Sequence, residues 1–278
     1  VIGGHEAEPH SRPYMVSIQL QEVHACGGAL VHKQWVLTAA HCLSQTMVAQ
    51  GKVVVGLHSL KERRASGQSF AIRKACPHPG YSPMTMENDI LLLQVGPAPA
   101  AGSGALRQNP GLGSPPPLAP ASPSPLAREA APFCWEEPCR GLAGGRTGAG
   151  GSEQQGEAPW RHLQVTVLDA RMCNNSRFWN GEIGPTMICF QGCQKGSAPS
   201  KVRPVPRGSL DPAGGSAGHE PASVQGDSGG PLVCGKKAAV AGVISFTSRN
   251  LTDPFKPPVA TSAVKHRKWI RKTLRAGC

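Results

Sequence analysis

The chain has 278 residues, enough for one or two hydrophobic cores, and its 34 glycines and 27 prolines suit an all-β protein rich in turns. No apolar run is long enough to cross a bilayer as a helix, and ten cysteines point to an oxidising compartment. The net charge of +12 has no aromatic stacking array or recognition motif beside it, which argues against nucleic acid as the partner.

In chain order, the apolar strand Trp35-Val36-Leu37 delivers Thr38-Ala39-Ala40-His41-Cys42 to its end. Imidazole titrates near physiological pH, so His41 in this setting is a candidate base that takes a nucleophile's proton and returns it to a leaving amine. Glu87-Asn88-Asp89-Ile90-Leu91-Leu92-Leu93 then sets an acidic pair at the head of another apolar strand. A buried Asp89 there can fix an imidazole tautomer and stabilise its charged form. From residue 96 to 125 nearly half the positions are Gly or Pro and the only charge is Arg107. Such a stretch buries too little surface to order itself. A second Gly-, Pro- and Ser-rich segment runs over residues 191–223, where each doubling of loop length costs only about 0.6 kcal/mol.

Gly226-Asp227-Ser228-Gly229-Gly230-Pro231 follows, a serine set between glycines with a carboxylate before it. Without Cβ atoms this backbone can turn sharply and leave the hydroxyl exposed. The Gly226 and Ser228 N–H groups can then meet at one point to hold a developing oxyanion. Lys265-His266-Arg267-Lys268-Trp269-Ile270-Arg271-Lys272, continuing to Arg275, reads as a helix over residues 262–275. Trp269 and Ile270 would dock while the basic residues face solvent.

The order His41, Asp89, Ser228 is that of chymotrypsin-like proteases, unlike subtilisins or α/β-hydrolases. The resemblance is specific: Pro9-His10-Ser11-Arg12-Pro13-Tyr14-Met15, residues 35–43, 87–94, 167–181, 226–235 and 255–261 are similar to the chymotrypsin-like (peptidase S1) serine proteases of the granzyme family, in its granzyme M-like branch. With their flanks these stretches cover roughly two thirds of the chain. The resemblance implies a trypsin-like all-β fold of two six-stranded antiparallel β-barrels with the triad in the cleft between them and a C-terminal α-helix. It also implies that Val1-Ile2-Gly3-Gly4 is the new end of a cut zymogen, its α-ammonium buried against Asp227. No signal peptide is then left to read.

By the same resemblance, Ala222 forms the floor of the pocket for the side chain preceding the scissile bond, Ser245-Phe246-Thr247 one wall and Pro258 the position that narrows the other. An Arg or Lys side chain would be desolvated there without a carboxylate partner, so cleavage after basic residues is not expected; the granzyme M-like resemblance implies cleavage after Met or Leu. A few methylenes discriminate by only about 1–3 kcal/mol, which ranks substrates rather than excluding them. Protein substrates, serpin-type inhibitors, a monomeric state and no cofactor or metal are implied. Secretion into lymphocyte granules, cytotoxic killing and innate immunity follow from the same kinship. Sequons at Asn174 and Asn250 fit a secreted glycoprotein. Lys265, Arg267, Lys268, Arg271, Lys272 and Arg275 are candidates for binding granule proteoglycan or heparin.

The expected organisation is one peptidase domain: a first barrel over residues 1–95, an aberrant, disordered insert over 96–158 that replaces the crossover and the first strand of barrel two, and a second barrel over 159–278 carrying the 191–223 insert. The family's Cys strand followed by Gly-Trp-Gly is reduced to Cys139-Arg140-Gly141-Leu142-Ala143-Gly144-Gly145. A missing strand would leave a neighbouring edge unpaired. Both segments resemble translated non-coding or misspliced sequence. This leaves a second reading, a catalytically impaired variant or a basic glycosaminoglycan-binding pseudo-protease. Family spacing implies the disulfides Cys26–Cys42 and Cys173–Cys189, and Cys234 bridged to Cys139, with Cys134 the alternative. Cys76, Cys193, Cys278 and one of Cys134 or Cys139 are expected to have no partner. Val224 and Leu251 stand where most relatives carry a further bridge.

Overall fold

The computed structural model describes residues 4–60, 67–96, 139–144, 159–194, 197, 199, 226–235, 239–247 and 256–278, the 139–144 segment by its backbone alone. The first barrel is a closed ring of six antiparallel strands: β2 (Met15–Leu20), β3 (Val23–His32), β4 (Trp35–Thr38), β7 (Leu91–Val95), β6 (Gln68–Pro77) and β5 (Gly51–Val55). Period-two alternation decides which way each side chain points. Val36, Val53, Val55, Leu91 and Leu93 enter the barrel interior with Val16 and Ile18. Their strand neighbours Trp35, Leu37, Val54 and Leu92 instead join a second cluster, shared with Val233, Val240, Val243 and Ile270 from the far half of the chain.

The second sheet contains β9 (Trp160–Val167), β10 (Met187–Gly192), β13 (Val259–Ser262), β12 (Ala239–Phe246), β11 (Pro231–Cys234) and β8 (Cys139–Gly144). It closes because β8 pairs with both β11 and β9. Leu163, Val165, Phe190, Leu232, Ile244 and Ala260 fill its interior. The fold is the expected all-β pair of six-stranded barrels, with a short helix α1 (Ala170–Cys173) between β9 and β10 and a helix α2 (Arg267–Ala276) after the last strand.

Four expectations are corrected. The 96–158 segment does not replace the first strand of barrel two, since β8 runs opposite β9 from the Cys139–Val165 pair to Gly144–Trp160. Alternation is weak in the sequence Cys-Arg-Gly-Leu-Ala-Gly, and the strand's backbone pairs with β9 on one side and β11 on the other. The 191–223 insert starts later than expected, because Gln191 and Gly192 pair with Thr166 and Val165. Residues 1–95 are not all first barrel: β1 (His5–Glu6) hydrogen-bonds β9 in the second sheet. Finally, α2 begins at Arg267 rather than at 262, where β13 is still paired.

The cysteines are corrected too. Cys26–Cys42 and Cys173–Cys189 are bonded, and Cys76 and Cys278, expected to lack partners, are bonded to each other across 202 residues. Cys193 is also disulfide-bonded, as is Cys234. Cys134 lies outside the described residues. The Cys76–Cys278 bond ties the segment after α2 to β6 of the first barrel. Cross-linking so long a loop restricts the unfolded chain strongly. Replacing both cysteines with serine is expected to cost about 2–4 kcal/mol and lower Tm by roughly 5–15 °C, measured by calorimetry against the parent chain.

Candidate active site

β4 ends at Thr38, and a single 3-10 turn, Ala40–Cys42, carries His41 at the barrel rim. The Cys26–Cys42 bond anchors that turn to β3. On the neighbouring strand's approach, Asn88 adopts a left-handed backbone (φ 53°), which turns Asp89 inward just before β7. Asp89 is completely buried, whereas the His41 side chain keeps 17% of its surface. His41 Nδ1 lies 2.7 Å from Asp89 Oδ2, and the His41 backbone N–H donates to Asp89 Oδ1 at 2.9 Å. The Ser245 hydroxyl also donates to Asp89 Oδ2. Charge-assisted bonds of this kind offset the cost of burying a carboxylate. Tyr81 reports the charge beside it: burial, then the Asp89 carboxylate, push its hydroxyl up to about 12.

Ser228 lies on the turn between Asp227 and β11. The turn is sewn to both barrels. Gly27 N–H of β3 donates to the Ser228 carbonyl at 2.8 Å, and Gly229 N–H donates to Ile244 of β12 at 2.7 Å. Gly229 has φ +75°, and a Cβ there would overlap Thr38 Oγ1 and lie 2.6 Å from the Gly27 carbonyl. Only glycine fits that position. Asp227 is 1% exposed, and Val1, its expected partner, lies outside the described residues.

Gly226, expected to lie in the oxyanion loop, has a support that the sequence reading missed. His24 Nε2 is 3.1 Å from the Gly226 carbonyl, its Nδ1 is 2.8 Å from Ser17 Oγ, and Gln19 Nε2 donates to that same hydroxyl at 3.3 Å. The arrangement is consistent for a neutral ring that donates from Nε2 and accepts at Nδ1. Burial lowers the His24 pKa to about 4, against an opposing effect of the Gly226 carbonyl. The sequence signal is Ser17 and Gln19 on one strand of a hairpin and His24 on the next, which does not distinguish a brace from a buried polar pair.

The pocket expectations divide. Ser245, assigned to the wall, has its hydroxyl on Asp89, so it belongs to the His41–Asp89 arrangement as well as to the strand. Phe246 packs edge-on against Trp179, with ring centroids 5.2 Å apart, and Trp179 Nε1 donates to the Pro257 carbonyl at 3.0 Å. Pro258 is buried and its carbonyl accepts from Phe190 N–H at 3.1 Å, while Thr247 is half-buried. Ala222 and Asn250 lie outside the described residues. Asn174 is partly buried, with Nδ2 donating to the Ile183 carbonyl at 2.9 Å and Oδ1 accepting from Ile183 N–H at 2.8 Å. Lys265, Lys268, Arg271, Lys272 and Arg275 are exposed on or beside α2, and Arg267 is half-buried. A cluster of Cys26, His41 and Cys42 has metal-ligand spacing, but the two sulfurs are bonded to each other.

An imidazole held on a buried carboxylate, together with a glycine-flanked serine on a turn hydrogen-bonded to both barrels, is the set of groups a serine hydrolase uses. The Trypsin family matches residues 1–201 and 212–270, and the chain belongs to that family of chymotrypsin-like serine endopeptidases. Within it the chain is granzyme M-like. It is 41% identical to rat granzyme M over 276 residues, covering 99% of this chain and 89% of that protein. Human granzyme M is 42% identical over 275 residues, covering 98% and 88%. Human serine protease 57 is 35% identical, covering 99% of this chain and 81% of that protein. Among solved structures, neuropsin, a serine protease expressed in the limbic system of mouse brain, superposes with a TM-score of 0.68 at 26% identity, covering 99% of this chain and all of that one.

His24 makes folding stability depend on pH. The unfolded ring takes a proton near 6.5, while the folded ring refuses it until about 4, so the unfolded state binds more protons in that window. Stability is therefore lost as pH falls through it, by roughly 3 kcal/mol in all. Urea unfolding at pH 7 and pH 4.5 is expected to show this loss in the parent chain and a clearly smaller one in His24→Gln.

Proposed function

We propose that the chain is a secreted granule endopeptidase that cleaves after Met or Leu in the service of lymphocyte killing and innate immunity. Ser228 attacks the scissile carbonyl and His41 takes the hydroxyl proton. Asp89 holds the ring in the right tautomer and stabilises its charged form, and Gly226 and Ser228 N–H groups bind the oxyanion. The acyl-enzyme that forms is then released by water, with His41 acting as base again. The observation that carries the reading is the Asp89 carboxylate, wholly buried and held by both the ring and the backbone of His41. Val1 is assigned to Asp227 as the activating ion pair, and Ala222, Phe246, Thr247 and Pro258 to the uncharged pocket. The relatives named granzyme M support the granule setting. Asn174 and Asn250 are assigned as glycosylation sites, and serpin-type proteins as inhibitors.

The catalytic assignment is tested with peptides that differ only before the scissile bond. Met and Leu substrates are expected to be cleaved with kcat/KM at least about tenfold above the Arg or Lys versions. Ser228→Ala is expected to abolish both turnover and labelling by a fluorophosphonate probe. Asp89→Asn is expected to lower kcat about ten-thousandfold with the fold intact. A folded parent chain that neither labels nor cleaves rejects the reading.

The exposed basic face of α2 is proposed to hold the protein on a sulfated polysaccharide of the granule. Such binding is electrostatic and screened by salt. Lys268→Ala, Arg271→Ala and Lys272→Ala combined is expected to elute from heparin at clearly lower salt than the parent chain. Unchanged elution would remove the face from this role.

A further inference from the structure

The head of α2 meets the loop between β6 and β7 at the turn that precedes Asp89. His266 is 4% exposed and stands at the head of α2. Its Nδ1 lies 2.6 Å from the Ser262 carbonyl and its Nε2 lies 2.9 Å from Asn88 Oδ1. Asn88 Nδ2 donates to the Gly80 carbonyl at 2.8 Å, which turns the amide oxygen toward the ring. Asn88 is also the left-handed residue whose turn presents Asp89, and its carbonyl accepts from Ile90 N–H at 2.7 Å. Two oxygens therefore face the two nitrogens of one ring. An imidazolium satisfies both, and a neutral imidazole only one.

Resting on the triad assigned above, we infer that His266 is a positioning residue that grips Asn88, and through it the turn that presents Asp89 to His41, most tightly when both ring nitrogens carry protons. The groups around it are few. His78 of the β6–β7 loop stacks edge-on at 4.8 Å between ring centroids, and also against Trp269 of α2 at 5.1 Å. Asn88 is flanked by Glu87 and Asp89, β13 offers the Ser262 carbonyl, and on the helix side Lys265 and Arg267 flank the ring in sequence. Burial lowers the pKa of His266 despite the Ser262 carbonyl, and burial together with His266 lowers that of His78. The proton that completes the grip is consequently held weakly, and the ring gives up one of its two contacts as pH rises.

The test uses the full chain with its disulfides formed. His266→Phe keeps an aromatic ring against His78 and Trp269 but deletes both donors, and His266→Gln keeps one donor that does not titrate. In His266→Phe, kcat is expected to fall about tenfold while KM changes less than about twofold, with much of the loss restored in His266→Gln. The far-downfield proton of the His41–Asp89 bond, read by NMR, is expected to exchange faster in His266→Phe. Below about pH 6.5 the parent chain should show a step in this exchange that follows the His266 ring resonances and is absent from His266→Gln. Parent-like kcat, exchange and pH profile in His266→Phe overturn the inference. If His266→Phe does not fold, an identical pH profile in His266→Gln and the parent chain overturns it. If the parent chain cleaves nothing, the triad reading fails, and the NMR comparison still decides this one.

Discussion

One buried carboxylate organises the centre of this molecule. Asp89 has no exposed surface, and an isolated charge in such a place is strongly disfavoured, so its donors must already be in position when the fold closes. They come from three places: the ring and the backbone of His41 on the 3-10 turn after β4, and the hydroxyl of Ser245 on β12. Two belong to the first barrel and one to the second. The carboxylate is satisfied only when both barrels are built and correctly apposed, which makes the chemistry of the cleft and the packing of the halves one problem.

The apolar packing obeys the same logic. Alternate residues of β4, β5 and β7 leave the barrel interior and join Val233, Val240, Val243 and Ile270 in a shared cluster. The turn that carries Ser228 is hydrogen-bonded on one side to Gly27 and on the other to Ile244, so it too spans the halves. A glycine at 229 is required because the turn passes against Thr38 and the Gly27 carbonyl at a distance no side chain tolerates.

The fold and its class were legible because they rest on local signals: apolar strands that end in His41 or begin at Asp89, and a Gly-Asp-Ser-Gly-Gly-Pro turn that few other roles demand. What escaped the sequence was everything fixed by non-local pairing. Strand β8 has almost no side-chain pattern and is placed by β9 and β11. The partner of Cys76 lies 202 residues away, and no local spacing points to it. Ser245 was assigned to a pocket wall by the family resemblance, and which way its hydroxyl turns depends on how β12 is rolled; it turns to Asp89. His24 and His266 looked like ordinary histidines; their partners, Gly226 and Asn88, are 202 and 178 residues away.

Each half of the chain lends a piece of itself to the other. Strand β1 leaves the amino-terminal half to lie on β9, and the segment after α2 returns to be bonded to β6. A growing chain can assemble the first ring before the rest exists, but neither strap has anything to hold until the second ring is present. The halves are not separable modules: either one expressed alone would carry an orphaned edge or an open thiol that only the other can cover.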